Sequence, residues 1–336
     1  MTASLIQQQV DLTPYNSFGV SQTAAYFANI QTLEQLQQAL QFAEANGIPL
    51  QILGDGTNTL FIKDYPGLIL HMNWKGIEWA EGEARIKAAC GESWHGFVIH
   101  CLNIGLYGIE NLALIPGKIG AAPIQNIGAY GVELEQFFSQ LEVYDVEAGE
   151  VRVMSKQDCE FSYRDSIFKR EAGQKLIVLS MTLELRLDSA PNTDYQALKA
   201  ALPDAPITAQ LVFDTVCQIR RRKLPDPAKL GNAGSFFKNP VVSRSKVESL
   251  KQQYPALPAY ATDDAQLLKL PAAWLLQEAG CKSMTRGGAA VHKDHALVLV
   301  NQNSATGEDI RLLAQEMSSA VLHRFGIDLQ VEVRII

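Results

Sequence analysis

Residues 111–134, NLALIPGKIGAAPIQNIGAYGVEL, most restrict what this chain can fold into. Glycines and alanines alternate there with Ile, Asn and Gln, and almost no side chain is charged. Such a segment cannot fill a core with large side chains, yet it is too apolar for a solvated loop. We therefore favour a backbone surface that wraps a large flat or extended ligand over an irregular buried loop.

A second glycine-containing stretch, GDGTN at 54–58, directly follows the short apolar run IPLQIL. Its glycines permit positive φ angles and let backbone amides approach a phosphate closely. The third glycine and the helix of a dinucleotide-binding fingerprint do not follow, because TLFIKDYPGLILHM continues as extended chain. Taken alone, this loop is more typical of a plain turn than of a phosphate site.

The segment GNAGSFFKNP, residues 231–240, places Ser235 between small residues and two phenylalanines. It does not match the nucleophile elbow G-x-S-x-G, because Phe237 stands where the second glycine belongs. The residues alone leave two interpretations open, a hydroxyl that takes part in chemistry or a serine that caps a helix.

Local patterns predict several elements of secondary structure. Thr32 and Gln35 have capping-box spacing before a helical apolar stripe that Asn46-Gly47 ends. Other predicted elements are a strand at 24–30, a strand at 48–53, a helix within 93–105, a hairpin turning near Ala148-Gly149, a helix over 308–325 closed by Gly326, and a C-terminal strand, DLQVEVRII. Residues 188–210 read as a linker or inserted loop, and a domain boundary is predicted near residue 225.

Composition limits the class of protein. The 336 residues suffice for two or three domains, and 47% hydrophobic with 19% charged residues is typical of a globular protein. The net charge of −7 argues against nucleic acid as a partner. The dense basic run RRRK at 220–223 is equally compatible with a solvated helix face and with a site for a small anion.

Cysteine usage and the chain start indicate the compartment. The five cysteines are odd in number and scattered without a C-x-x-C pair, so disulfide frameworks and metal sites are not expected. The N-terminus has no basic signal-peptide region, and no apolar run is long enough to span a membrane. We therefore expect a cytoplasmic protein with no membrane partner.

Several motifs together resemble one family. They are NSFGV (16–20), LGDGTN (53–58), IPGKIGAAPIQNIGAYGVE (115–133), YRDSIFK (163–169), KLPDP (223–227), GNAGSFFKNP (231–240), GGAAVH (287–292) and EVR (332–334). In this order they resemble the UDP-N-acetylenolpyruvoylglucosamine reductases of peptidoglycan precursor synthesis. TDYQALK at 193–199 resembles the family's longer form, which carries an extra loop that covers the substrate.

The resemblance implies an α+β fold. It consists of a vanillyl-alcohol-oxidase (PCMH) type FAD-binding region of two α+β subdomains and a separate α/β substrate-binding domain. The implied boundaries are 1–70 for FAD-binding subdomain 1, 71–218 for subdomain 2, and 219–326 for the substrate domain. The C-terminal strand, 327–336, is expected to join subdomain 2 and to bring Glu332 opposite Ser235.

The resemblance also implies a reaction. Hydride would pass from NADPH to non-covalently bound FAD and then to the enolpyruvyl double bond of UDP-N-acetylglucosamine enolpyruvate. The product would be UDP-N-acetylmuramate, which links the activity to cell wall biogenesis, cell shape and cell division. The expected partners are the UDP-sugar and NADPH, and the expected oligomeric state is a monomer.

Three residues are expected to be catalytic. Ser235 would donate the proton to the carbanionic α-carbon, since such a carbon is a base strong enough for a hydroxyl. Arg164 would stabilise the enolate that develops at the substrate carboxylate. Glu332 would hydrogen-bond that carboxylate as an acid, provided that burial raises its pKa. On residue type alone, a structural ion pair is an equally good interpretation of Arg164 and Glu332.

The glycine loop and the 115–131 segment are expected to offer backbone amides to the FAD diphosphate. The expected FAD-binding residues are Gly54, Asp55, Gly56, Thr57, Asn58, Ile115, Pro116, Gly117, Ile119, Gly120, Ala121, Ala122, Gln125, Asn126, Gly128, Ala129, Tyr130, Gly131 and Arg164. The expected substrate-binding residues are Tyr195, Lys223, Asn239, Lys269 and Arg334. Ala121-Ala122 replaces serines of some relatives, which puts side-chain bonds to FAD in doubt there.

Two other functions remain open from the sequence. An FAD-dependent oxidase of the same superfamily would keep the flavin loops without needing Ser235, Arg164 and Glu332 together. A non-catalytic flavin or nucleotide-sugar binder would keep the loops without catalysis. Oxygen consumption distinguishes the first alternative, and a flavin that NADPH does not bleach distinguishes the second.

Overall fold

The computed structural model describes residues 5–336 and divides into two compact units. The first unit contains residues 5–10, 24–55 and 66–222, and the second contains 11–23, 56–65 and 223–336. Each unit mixes helices and strands, as an α+β fold requires. The predicted three-segment division at residues 70, 218 and 326 stays a prediction.

The strands of the described chain follow in sequence order. They are β1 (Ile6–Asp11), β2 (Thr23–Ile30), β3 (Leu50–Leu53), β4 (Thr59–Leu60), β5 (Tyr65–Met72), β6 (Ile77–Trp79), β7 (Arg85–Ala89), β8 (Gly128–Ala129), β9 (Val132–Glu133), β10 (Phe138–Asp145), β11 (Glu150–Ser155), β12 (Leu176–Glu184), β13 (Gly231–Ser235), β14 (Val241–Ser243), β15 (Tyr260–Ala261), β16 (Leu267–Lys269), β17 (Thr285–Arg286), β18 (Ala289–Val291), β19 (Val298–Asn301) and β20 (Arg334–Ile335).

The helices complete the set of elements. The α-helices are α1 (Leu33–Ala45), α2 (Trp94–Asn103), α3 (Lys156–Cys159), α4 (Gln196–Lys199), α5 (Ala209–Lys223), α6 (Arg244–Gln253), α7 (Ala272–Glu278) and α8 (Gly307–Phe325). The 3-10 helices are Thr13–Tyr15, Glu110–Leu112, Ile119–Ala121, Pro123–Gln125, Leu134–Gln136, Ile167–Lys169, Glu171–Gly173 and Cys281–Ser283. Within residues 5–336, no helix combines the length and apolar composition that crossing a membrane requires.

Local signals in the sequence predicted several of these elements. The Thr32 hydroxyl accepts a hydrogen bond from the Gln35 N–H and caps α1, which ends at Asn46 before Gly47 with φ 59°. The hairpin of β10 and β11 turns at Gly149, whose φ is 72°. α8 ends at Gly326 with φ 62°. The predictions of strand β2, helix α2 and strand β3 are confirmed as well.

The first unit contains two larger sheets. One has the order β1-β2-β5-β3, in which β3 and β5 are parallel, and α1 buries Leu36 and Ala39 in the cluster that includes Leu68 and Leu70. The other has the order β11-β10-β12-β7-β6 and is antiparallel. Its core holds side chains of α2, α5 and the 111–134 stretch, so that stretch is built into the wall of the unit.

The second unit is built around the antiparallel sheet β13-β19-β18-β17. Helix α8 buries Ile310, Leu313 and Met317, which is the apolar stripe predicted from the sequence. A smaller antiparallel sheet, β14-β16-β15, and the parallel pair of β20 and β4 belong to the same unit.

The predicted C-terminal strand is shorter than expected. Only Arg334–Ile335 forms a regular strand, and it pairs with Thr59–Leu60, inside the segment assigned to subdomain 1 rather than 71–218. Residues 330–332 lie beside 236–238 through isolated hydrogen bonds. The chain changes partner between these two contacts, and this change interrupts the regular ladder that a single strand would need.

Candidate active site

The glycine loop, residues 54–58, and the cofactor segment, residues 115–131, meet in the first unit at Gly54. A Cβ added to Gly54 would lie 3.8 Å from the Lys118 Cβ and 3.9 Å from the Ala121 Cβ. Residue 54 therefore contacts the first 3-10 turn of the cofactor segment closely. The resemblance to the reductase family implies that these two stretches bind the FAD diphosphate.

Short turns and close backbone contacts shape the cofactor segment. The N–H groups of Ile119 and Gly120 donate to the carbonyls of Glu92 and Cys90, each over 2.9 Å. A Cβ on Gly120 would lie 2.8 Å from the Cys90 Cβ, so only glycine permits this approach. Packing against Cys90 thus requires glycine at position 120.

The tip of the glycine loop presents backbone donors. Within the described chain, the N–H groups of Asp55 and Gly56 donate no hydrogen bond. Gly56 has φ +60°, and a Cβ there would lie 2.1 Å from the Tyr15 carbonyl oxygen, so glycine is obligatory. Successive unpaired amides of this kind suit the oxygens of a diphosphate.

Lys118 is a buried cation that the sequence analysis did not select. Its side chain is 7% exposed, and its Nζ lies 3.5 Å from a carboxylate oxygen of Asp55. It also donates to Met72 O and Asn73 Oδ1 over 3.1 Å and contacts His71 Nε2 at 3.2 Å. Burial lowers the pKa of the Lys118 ammonium, and the Asp55 carboxylate opposes this effect. The sequence does hold one signal for Lys118, because it is the lone charged residue between Asn111 and Val132.

Asn126 was expected to contact FAD, but its side chain is occupied within the protein. The fully buried amide donates to Glu133 Oε2 and Glu135 Oε1 over 3.1 Å and to the Ser162 carbonyl over 3.3 Å. Its Oδ1 accepts from the Glu135 N–H over 3.0 Å. With φ 43°, Asn126 ends a 3-10 turn, and its contact with FAD stays a prediction.

Arg164 lies in the same unit as the cofactor segment. Residues 162 and 165 exchange two backbone hydrogen bonds of 3.1 Å, which leaves Tyr163 and Arg164 at the tip of a tight turn. Arg164 has φ 54°, a strained value for a side chain of its size. Its guanidinium donates to the Gly128 carbonyl and lies 3.9 Å from a Glu133 oxygen. The turn and these contacts aim the guanidinium at the cofactor segment.

Tyr195 also contacts the cofactor segment. Its ring meets Tyr130 edge to face at a centroid distance of 5.6 Å. The buried Asn111 amide donates over 2.9 Å to both the Tyr130 and Asn192 carbonyls, and it thereby ties the loop before α4 to the cofactor segment. Tyr195 itself remains 48% exposed, so its ring is accessible from solvent.

Ser235 ends strand β13 in the second unit, so the helix-cap interpretation was wrong. The ladder between β13 and β19 shifts register between Asn232 and Ser235, where Gly234 has φ 70°. Such bulges redirect the side chain that follows. No described residue makes a hydrogen bond with the Ser235 hydroxyl, while Phe236 and Phe237 behind it are buried.

Glu332 lies directly beside the serine strand, as expected. Its N–H donates over 2.8 Å to the carbonyl of Phe236, the residue after Ser235. Its own carbonyl accepts from Asn58 Nδ2 over 3.2 Å, and the Asn58 carbonyl accepts from the Arg334 N–H over 2.9 Å. The second unit therefore brings together Ser235, Glu332, Arg334 and the end of the glycine loop.

The other expected substrate residues are also in the second unit, except Tyr195. The Asn239 Oδ1 accepts over 2.9 Å from the N–H of Ala272, the first residue of α7. Lys269 is half-buried at the end of β16, where it pairs with Val241. Lys223 is exposed at the end of α5, and its charge adds to the effect of burial that lowers the pKa of His295.

Comparison with known proteins agrees with this architecture. A family model for an FAD binding domain matches residues 24–155, and the model of the C-terminal domain of UDP-N-acetylenolpyruvoylglucosamine reductase matches residues 226–336. The fold and the glycine-rich segments thus define a flavoprotein with an FAD-binding domain of the PCMH type.

Relatives identify the family. The chain is 44% identical to the UDP-N-acetylenolpyruvoylglucosamine reductase of Pseudomonas putida, with 97% of each chain covered, and 42% identical to that of Neisseria meningitidis, with 97% of this chain and 96% of the relative covered. The crystal structure of UDP-N-acetylenolpyruvylglucosamine reductase from Thermus caldophilus has the same fold, with a TM-score of 0.69, 21% identity, and 98% and 99% of the two chains covered. The chain belongs to the UDP-N-acetylenolpyruvoylglucosamine reductase family.

Proposed function

We propose that this chain is an NADPH-dependent FAD enzyme that reduces UDP-N-acetylglucosamine enolpyruvate to UDP-N-acetylmuramate. The observation that carries the proposal is the backbone hydrogen bond from the Glu332 N–H to the Phe236 carbonyl. It brings Glu332 beside the residue that follows Ser235, whose hydroxyl has no described partner. Family membership supports the same activity. The reaction would serve peptidoglycan precursor synthesis, cell wall biogenesis, cell shape and cell division.

FAD would bind without a covalent bond, and the residues present suit its diphosphate. The unpaired amides of Asp55 and Gly56 and the backbone of the cofactor segment would hold the phosphate oxygens. Ala121 and Ala122 would contribute through backbone and methyl groups only. When bound, FAD supplies the redox chemistry that couples NADPH oxidation to reduction of the substrate double bond.

Ser235 would donate the proton that completes the reaction at the α-carbon of the substrate. A hydroxyl is a weak acid, but a carbanionic carbon is a base strong enough to accept its proton. The ladder shifts register at the residues before Ser235, and the two phenylalanines that follow it are buried. Since no described side chain competes for the hydroxyl, its proton is available to a ligand.

Two ionisable side chains would interact with the substrate carboxylate. Arg164 would stabilise negative charge as it develops there, and one well-placed donor of this kind contributes roughly 3 kcal/mol. Glu332 would hydrogen-bond the same carboxylate in its protonated form. The strained φ of 54° at Arg164 supports a functional role, since such strain concentrates at active sites.

The five expected substrate-binding side chains would bind the substrate. Lys223, Lys269 and Arg334 would pair with the diphosphate or carboxylate, Asn239 would hydrogen-bond the ligand, and Tyr195 would cover the nucleotide. The loop that carries Tyr195 would be the extra loop of the family's longer form. Its exposed ring and its attachment through Asn111 support this role.

We further propose a cytoplasmic monomer in which 1–70, 71–218 and 219–326 act as subdomains. Light scattering on the purified full chain tests the oligomeric state. A mass of about twice the 36.9 kDa of one chain would contradict the monomer.

One spectroscopic experiment tests the function. Flavin absorbance of the purified protein is followed without oxygen as NADPH and then the UDP-sugar are added. The proposal predicts bleaching by NADPH and recovery of the oxidised spectrum on adding the enolpyruvyl sugar. Recovery with oxygen but not with the sugar would favour the oxidase, and a flavin that NADPH leaves oxidised would favour the non-catalytic binder.

A further inference from the structure

The Lys118 ammonium contacts several polar groups of the first unit. An ammonium has three N–H donors, and His71 Nε2, Met72 O and Asn73 Oδ1 lie within 3.2 Å of Nζ. These acceptors belong to the end of β5 and the residues after it. Lys118 therefore has no donor left for a bound diphosphate, and it would act without touching the cofactor.

The partner of this cation lies in the glycine loop. The Asp55 carboxylate is 3.5 Å from Nζ, and the Asp55 side chain is 42% exposed. Asp55 thus places a negative charge in the loop whose amides would bind an anion. Without compensation, that charge would repel a diphosphate, because like charges a few ångströms apart repel each other.

Taking the proposed function as given, we propose that Lys118 is a positioning residue for FAD that neutralises Asp55. The ammonium holds the Asp55 carboxylate and fixes residues 54 and 118 at contact distance, so the amides of the glycine loop face the diphosphate without local repulsion. The pair is unusual among the ion pairs of the described chain in joining the two segments assigned to the cofactor.

The first measurement is the affinity for FAD, titrated by flavin fluorescence into the full chain freed of flavin. Lys118→Met should weaken FAD binding by about 10-fold or more, because Asp55 is left uncompensated. Lys87→Met is the matched control, since it removes one lysine that pairs with Glu142 over 2.8 Å on the five-stranded sheet. The control should bind FAD as the wild type does.

Two further readouts separate electrostatics from packing. Adding Asp55→Asn to Lys118→Met should restore most of the lost affinity, because the repelling charge is gone. Raising potassium chloride from about 0.02 M to about 0.5 M should tighten FAD binding by Lys118→Met relative to wild type, since salt screens the repulsion. A purely structural role for Lys118 would give neither effect.

Asp55→Asn alone tests the same idea in a chain that keeps its buried lysine, should Lys118→Met not fold. It should bind FAD as tightly as wild type or several-fold more tightly, because the Lys118 charge is then uncompensated. Weaker binding by this variant, or an affinity of Lys118→Met equal to that of Lys87→Met, overturns the inference. Failure of the wild-type chain to bind FAD would instead contradict the proposed function and the inference together.

Discussion

His71 shows how neighbouring residues can fix the protonation of one ring. Its Nδ1 lies 2.9 Å from the Asn29 Oδ1, which accepts only, and its Nε2 lies 3.2 Å from the Lys118 ammonium, which donates only. The neutral ring with the proton on Nδ1 satisfies both contacts. Burial, followed by the positive charge of Lys118, lowers the pKa of His71 to about 4.

This depressed pKa predicts a pH dependence of stability. The unfolded chain binds a proton at His71 below its ordinary pKa of 6.5, whereas the folded chain does so only below about 4. The contribution of His71 is therefore complete above pH 6.5 and is lost as the pH falls from 6.5 towards 4. Thermal unfolding across this range should show a smaller decline for His71→Gln than for wild type, and equal declines would contradict the shift.

Asn126 provides a second prediction at the residue scale. Asn126→Ala should lower the free energy of unfolding by about 2–4 kcal/mol, because it removes four hydrogen bonds and forces alanine to adopt φ 43°. Asn126→Gly is the matched control, since glycine adopts that φ freely and loses the hydrogen bonds alone. If Asn126→Ala unfolds like wild type but loses FAD, the side chain binds the cofactor after all.

Single residues differ in how far the sequence could predict them. Ser235 and Glu332 were paired through the resemblance to a family, and the hydrogen bond from residue 332 to 236 confirms their proximity. Lys118 was not predicted, because its contacts are with residues 55 and 71–73, which are distant from it in sequence. The position of Asn126 in the motif does not reveal the internal hydrogen bonds of its side-chain amide, and its contact with FAD stays a prediction.

Elements with local signals were predicted well, and elements without them were not. The boundaries of α1, α8 and the hairpin of β10 and β11 follow from caps, glycines and apolar periodicity, all of which are local. The cofactor segment has no period, and its turns depend on hydrogen bonds to residues 90–92. Only tertiary contacts could determine its path.

The loop that carries Tyr195 yields a prediction at the element scale. Tyr195→Ala should weaken binding of the UDP-sugar by about 10-fold or more while flavin reduction by NADPH stays largely intact, because we propose that the loop contacts the UDP-sugar alone. Tyr195→Phe keeps the ring against Tyr130 and removes only the hydroxyl, so it separates packing from hydrogen bonding. Equal damage to both half-reactions would show that the loop also serves NADPH.

The whole molecule depends on chain segments that sequence patterns could not assign. Residues 11–23 and 56–65 belong to the second unit although both lie near the N-terminus. A Cβ on Gly231 would lie 2.2 Å from the Phe18 carbonyl, and the Asn232 N–H donates to Ser17 over 2.9 Å. The motif NSFGV therefore supports the serine strand, a pairing over more than two hundred residues that no local rule predicts.

The central claim is that Ser235 supplies a proton and takes no part in the reaction with NADPH. The two half-reactions are separable, so a variant without the hydroxyl should fail in only one of them. Ser235→Ala keeps strand β13 and the buried phenylalanines behind it, because the hydroxyl has no described partner to lose. Ser235→Cys offers a stronger acid at the same position.

Rapid-mixing absorbance measurements of the two half-reactions test this claim most directly. For Ser235→Ala, flavin reduction by NADPH should proceed at nearly the wild-type rate, and reoxidation by the enolpyruvyl sugar should slow by about 10²- to 10⁴-fold or more. Ser235→Cys should recover part of that loss. Loss of flavin reduction in the alanine variant, or normal reoxidation by the sugar, would contradict the account.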